Sequence, residues 1–136
     1  MDCMVNPEVS LSEWGKELVD SLGGRRYPLS ATFELTERCN FNCVHCFINQ
    51  PANSREVRER ELSLTEIKDI LNQMANAGVI SLLLSGGEPL LRPDFLDIYM
   101  HAKRLGMLVT VFTNGTLLTP RILDVFSEYP PQLIEI

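Results

Sequence analysis

The chain reads as an α/β protein, a parallel (βα)n partial TIM-like barrel with roughly the first three βα units plus a fourth strand. Three observations predict this. Short runs of β-forming residues alternate with segments of helical periodicity. Each strand-like run stops at a polar or glycine-bearing segment, namely "TERCN", "SGGEP" and "TNG". One run, "VISLLLS", is continuously apolar over a strand's length, as in a buried parallel sheet.

The elements follow in order. Residues 1–28 form a helical preface: Ser10 and Glu13 have capping-box spacing, and "LSEWGKELVDSL" runs to Gly23-Gly24. Residues 29–136 form the core domain. "LSATFEL" is its first strand, and it leads into a cysteine-bearing loop. The loop continues through "NQPANSREVRERE", where Arg55, Arg58 and Arg60 interleave with Glu56, Glu59 and Glu61, the pattern of a solvated face.

Ser63 and Glu66 open the next helix as a capping box, with Leu62 placed to staple onto Ile67. Ile67, Ile70, Leu71, Met74 and Ala77 share one face, and Gly78 closes it. "VISLLLS" is the second strand. Pro93 suits the first turn of a second helix, whose apolar face is Phe95, Ile98, Tyr99, Ala102 and Leu105 and whose end is Gly106. "MLVTVFT" is the third strand. Thr119 and Pro120 start a third helix that offers Ile122, Leu123, Val125 and Phe126 for burial, and "PPQLIEI" enters a fourth strand. A sheet ending on "QLIEI" would present an apolar edge, so the chain is expected to be a piece of a longer barrel-like protein.

Strand–helix alternation with right-handed crossovers places the cysteine loop, "SGGEP" and "TNG" on one rim, at the carboxyl ends of the strands. Ligands collect at that rim in folds of this class.

Composition narrows the function classes. Hydrophobic residues are 45% of the chain and charged residues 22%, with a net charge of −6. An acidic balance argues against a broad nucleic-acid footprint. No run approaches the roughly 18 apolar residues of a membrane span. "MDCMVNPEVS" lacks a basic segment followed by an apolar one, so no secretory signal is expected and the protein is expected in a reducing cytoplasm.

Three of the four cysteines, Cys39, Cys43 and Cys46, fall within "TERCNFNCVHCFINQP". An odd set in a reducing compartment reads as metal ligands rather than disulfides. A structural zinc normally takes four ligands. His45 is adjacent to Cys46 and poorly placed for the same tetrahedron, His101 lies on a predicted helix, and Cys3 is distant in sequence. A [4Fe–4S] cube is usually held by four cysteines, so three would leave one iron open to an outside ligand. Zinc and iron–sulfur both stand on the coordination argument.

The sequence resembles a known family at these residues. "CNFNCVHC" resembles the C-x₃-C-x₂-C signature of radical S-adenosylmethionine (radical SAM) enzymes. "GGEPLL" resembles that family's GGEP motif one βα unit later. "TNGTLL" is similar to the peptide-maturing and cofactor-building branch, many of whose members carry SPASM or twitch cluster domains. The resemblance covers about Leu29 to Ile136, the first half of the family's partial (βα)₆ barrel.

The resemblance implies that Cys39, Cys43 and Cys46 bind three irons of a [4Fe–4S] cluster and that S-adenosylmethionine takes the open iron. It implies reductive cleavage to a 5′-deoxyadenosyl radical for hydrogen abstraction. Gly86 and Gly87 would let the backbone approach the methionine end of the ligand, Glu88 would accept from its ammonium, and Pro89 would stiffen the turn. His45 stands where the family often has Tyr near the adenine, and Asn42 where Arg or Lys is common. Thr113 and Asn114 would contact S-adenosylmethionine or substrate, although Asn-Gly is also an ordinary turn. The implied partners are a reductant protein such as flavodoxin or ferredoxin and a peptide or small-molecule substrate. A non-catalytic metal-binding module and an inactive fragment are the rival readings. Trp14, Phe41, Phe47 and Tyr99 read as packing residues, and His101 as a helix-surface residue.

Overall fold

The computed structural model describes residues 11–21, 23, 26–48 and 50–136. Its framework is a parallel sheet of four strands: β1 (Ser30–Glu34), β4 (Ser81–Ser85), β5 (Leu108–Phe112) and β6 (Leu133–Glu135), in that spatial order. A two-residue pair, β2 (Arg38–Cys39) and β3 (Gln50–Pro51), sits apart in the cysteine-loop region. The helices are α1 (Leu11–Ser21), α2 (Arg55–Arg60), α3 (Leu64–Ala77), α4 (Phe95–Arg104) and α5 (Pro120–Glu128). Ser10 and Cys3 lie outside the described residues.

Local chemistry sets the element boundaries. The Ser63 hydroxyl accepts from the Glu66 N–H while Glu66 reaches back to the Ser63 N–H, a reciprocal cap on α3. Gly78 ends that helix at φ 104°, a left-handed geometry that favours glycine. Thr119 caps α5 by accepting from the Ile122 N–H. The second helix departs from expectation. It starts at Phe95 with Asp94 as N-cap, and Pro93 precedes it, because Pro89–Leu91 first makes a 3₁₀ turn. The segment read as a charged loop also contains α2, capped by the Ser54 hydroxyl.

Helices cover one face of the sheet. Leu82 and Leu84 of β4 and Val109 and Val111 of β5 are wholly buried against Ile67, Leu71, Ile98, Tyr99 and Ala102. Each such buried aliphatic side chain contributes about 1.5–3 kcal/mol by leaving water. Phe95, Tyr99 and Phe126 form an aromatic cluster with centroids 5.0–6.5 Å apart. The Tyr99 hydroxyl donates to the Tyr129 carbonyl at 2.6 Å, and burial pushes its pKa up to about 12. α5 buries Ile122 and Phe126 but leaves Leu123 about half exposed, so the helical face is narrower than the four candidates suggested. Ala77 is exposed as well. His101 is half-buried rather than on the surface, its ring nitrogen 2.9 Å from Asn72 Oδ1 on α3.

The alternate residues, Ser81, Leu83, Ser85, Leu108, Thr110, Phe112, Leu133 and Glu135, line the opposite face and are partly or fully exposed. "VISLLLS" therefore alternates in burial despite its apolar composition. This one-sided covering matches a segment of a barrel wall, with helices outside and a lumen side within. Phe33 pairs with Leu84 and Leu84 with Val111, while Phe112 pairs with Glu135, so the strands end at a common level. No helix among the described residues is long and apolar enough to cross a membrane.

Candidate functional site

The carboxyl ends of the strands bring the three predicted segments together. β1 runs out through Leu35 and Thr36 to Arg38, Cys39 and the cysteine loop. β4 runs into Gly86–Pro89, and β5 into Thr113–Gly115. A cleft of about 380 Å³ lies between the latter two, lined by Ser85, Gly86, Gly87, Phe112, Thr113, Asn114 and Glu135 among others. A second hollow, about 490 Å³, is lined by Cys39, Asn40, Phe41, Asn42, Pro51 and Ala52.

The glycines act at the backbone level. Gly87 N donates to Thr36 O at 2.8 Å and Glu88 N to Arg38 O at 2.9 Å. A Cβ on Gly86 would overlap the Thr36 carbonyl, and one on Gly87 would overlap the Arg38 carbonyl. Gly86 also has φ 136°, which side chains resist. The close approach that demands glycine here is to the chain's own backbone at Thr36 and Arg38, just before Cys39. The SGGEP segment is bolted to the base of the cysteine loop.

Glu88 differs from its expected role as an acceptor for a ligand ammonium. It is wholly buried. Oε1 accepts from the Thr113 hydroxyl at 2.8 Å and the Leu90 N–H at 3.0 Å, and Oε2 accepts from the Asn114 N–H at 2.7 Å. A carboxylate with three internal donors satisfies the polar groups of two neighbouring loops and is thereby held inside. Thr113 is likewise buried, and its hydroxyl accepts from Gly115 N at 3.1 Å. Pro89 is buried and opens the 3₁₀ turn.

Sequence reasoning missed the polar network beneath the loop. Arg38 is buried, and its guanidinium grips Glu61 with two bonds, Nε to Oε1 at 2.7 Å and Nη2 to Oε2 at 3.0 Å. Its Nη1 donates to Ala52 O at 3.0 Å, and the Thr36 hydroxyl donates to Glu61. Arg92, also buried, lies 3.7 Å from Glu61 and pairs with Asp94 while donating to the Leu35 and Leu62 carbonyls. Glu61 thus departs from the solvated pattern of its neighbours. Burial pushes its pKa up, but bonds from Arg38 and Thr36 and the charges of Arg38 and Arg92 outweigh that, leaving it below 4.5. No local signal in the sequence marks this set, because its members are far apart in the chain.

The three thiols are free. Cys39 is half-buried, with its sulfur accepting from the Phe41 N–H at 3.4 Å. Cys43 and Cys46 are exposed, and the Cys46 thiol donates to Ile48 O at 2.9 Å. Cys46 N donates to Cys43 O at 3.1 Å, which turns the loop around His45, itself exposed. Phe41 and Phe47 are exposed, 45% and 90%, and not packed as expected. Among the described residues no three His, Cys, Asp or Glu side chains come together as a ready-made metal site. The donor set is three soft thiols on one loop, the chemistry that suits an iron–sulfur group spreading its ligands over several irons.

Comparison with known proteins places this geometry in a family. The model of the radical SAM superfamily matches residues 33–136. The AdoMet-dependent heme synthase of Methanosarcina barkeri is 43% identical over 97 residues, covering 71% of this chain and 27% of that protein. The PqqA peptide cyclase of Streptomyces rochei is 43% identical over 94 residues, covering 68% of this chain and 24% of that protein. Streptococcus suis SuiB, in a crystal structure bound to S-adenosylmethionine, superposes with a TM-score of 0.68 at 20% identity, over 94% of this chain and 31% of that one. That likeness shows a shared fold. The chain spans about a quarter to a third of the length of the proteins it matches. The family model covers the cysteine loop, the glycine-docked turn and the parallel sheet that joins them, and the chain belongs to the radical SAM superfamily.

Proposed function

We propose that these residues form the cluster-binding part of a radical SAM enzyme that matures a peptide or a cofactor precursor. The observation that carries the reading is the docking of the Gly86–Gly87 backbone onto Thr36–Arg38, which fixes the three-thiol loop beside the strand-end cleft. Cys39, Cys43 and Cys46 would hold three irons of a [4Fe–4S] cluster, leaving the fourth for S-adenosylmethionine. Bound there, such a cluster would supply the one-electron chemistry that cleaves S-adenosylmethionine reductively.

The chain's own residues supply placement. Arg38 and Glu61 hold the loop base, Glu88 ties the Pro89 and Asn114 turns together, and Gly86, Gly87 and Thr113 shape the cleft. His45, Gly86, Gly87 and Asn114 are the residues we assign nearest S-adenosylmethionine. Glu88 acts from behind, through the Thr113 hydroxyl and the Asn114 N–H. One relative is by name a peptide cyclase and another a heme synthase, which supports a peptide or cofactor-precursor substrate. A cytoplasmic reductant such as flavodoxin or ferredoxin would deliver the electron.

The test is anaerobic reconstitution of the full-length protein with iron and sulfide, then reduction in the presence of S-adenosylmethionine. A [4Fe–4S] absorption and electron-spin spectrum and release of 5′-deoxyadenosine are expected. Substituting any of the three cysteines by Ser should abolish both. One bound zinc without sulfide would instead indicate a non-catalytic metal module.

A further inference from the structure

Cys39 differs from the other two thiols in having a side chain from another strand aimed at it. Asn114, on the turn after β5, places Nδ2 at 3.9 Å from Cys39 Sγ and donates to Asn40 Oδ1 at 2.8 Å. Asn40 in turn donates to the Thr116 hydroxyl at 2.8 Å. Thr116 donates to Asn114 Oδ1 from both its N–H, at 3.1 Å, and its hydroxyl, at 2.6 Å. These bonds close a ring of three side chains that clasps the cysteine loop to the β5 turn. The Asn114 backbone N–H is held by buried Glu88, so the amide is anchored from inside.

We propose that Asn114 is a positioning residue for the Cys39 sulfur, setting its geometry and electron density as a metal ligand. The inference rests on the reading of Cys39 as such a ligand. Two N–H groups face that sulfur, the Phe41 backbone and the Asn114 amide. Donors of this kind, in an iron–sulfur site, favour the reduced cluster. Groups that orient a metal ligand commonly change metal affinity 10–100-fold when removed. Because Asn40 lines the hollow beside Cys39 and Asn114 lines the strand-end cleft, the clasp also joins the loop to the place where a ligand would sit.

The experiment uses the full-length protein without its cluster, titrated anaerobically with cadmium alone and read by thiolate-to-cadmium absorption. Asn114→Leu keeps the branched shape and removes the donor, and Asn114→Ala is the second variant. Both should weaken cadmium binding about tenfold or more. Thr116→Val, which loosens the ring but removes no sulfur donor, should lose less than either Asn114 variant. After cluster reconstitution, the Asn114 variants should show a more negative midpoint potential, a readout that loop stability alone would not move. Wild-type affinity in both Asn114 variants overturns the proposal, as does an equal loss in Thr116→Val or a wild-type protein that binds no cadmium through thiolate. Tight cadmium binding in a wild-type protein that forms no [4Fe–4S] cluster would sink the functional reading and leave this inference to the cadmium result.

Discussion

Arg38 and Glu61 are joined by a two-pronged ion pair, 2.7 and 3.0 Å, with side chains only 3% and 12% exposed. It spans 23 residues of sequence and fixes the residue immediately before Cys39. Removing one partner strands a charge away from water. Arg38→Ala and Glu61→Ala should each lower stability by about 3–5 kcal/mol, read from denaturant melts. Arg55→Ala breaks an ion pair whose members are 89% and 62% exposed, and should change stability by less than about 0.5 kcal/mol. Equal losses in the two cases would refute a special role for the buried pair.

The same carboxylate makes stability depend on pH. Glu61 sits below its ordinary value of 4.5 in the folded state, so it binds fewer protons there than in the unfolded chain. Its contribution is present above pH 4.5 and is lost as the pH falls through the lower, folded value. The stability difference between wild type and Glu61→Gln should therefore be constant from pH 7 to about 5 and shrink below. A difference that grows on acidification contradicts the assignment.

Gly86→Ala and Gly87→Ala test the docking of the SGGEP turn on the cysteine loop. Either methyl must displace a backbone carbonyl rather than a flexible side chain. Gly86→Ala also forces φ 136° on a residue that resists it. Each should cost about 1–3 kcal/mol and loosen metal retention in the loop. Gly106→Ala is the control, since its Cβ would meet open space and only its positive φ is strained. It should leave metal retention unchanged, as measured by loss of iron to a chelator.

Glu88→Gln keeps the shape of the buried side chain and turns an acceptor into a donor. The new NH₂ would face either the Asn114 N–H or the Thr113 hydroxyl and Leu90 N–H. An unsatisfied buried donor should cost about 1–3 kcal/mol, seen as a lower melting temperature. If Glu88 instead served a ligand ammonium, stability would hold and only ligand affinity would fall.

Much of the fold was legible because its signals are local. Ser63 and Glu66 cap a helix with their own neighbours, and Gly78 ends it, so both could be read where they stand. "GGEP" and the three-cysteine spacing likewise lie within short windows. The buried network was not legible. Glu61 looks like its neighbours Glu56 and Glu59 in sequence, and only the fold, which brings Thr36 and Arg38 within bonding distance of it, turns it inward. The reason for Gly86 and Gly87 was also hidden. Their need for close approach could be read, but its object, the Thr36–Arg38 backbone, is 50 residues distant.

The sequence by itself determined the parallel α/β order, the three-thiol loop and the family to which both belong, because periodicity, caps and motif spacing are encoded in adjacent residues. Tertiary structure alone decided which side chains serve the loop. Glu88 was drawn inside by three donors, Arg38 was paired with Glu61, and the Asn114 amide was set beside the Cys39 sulfur. These are contacts between the ends of different strands. They exist only once parallel pairing has brought those ends to one level, and a linear pattern carries no record of that distance.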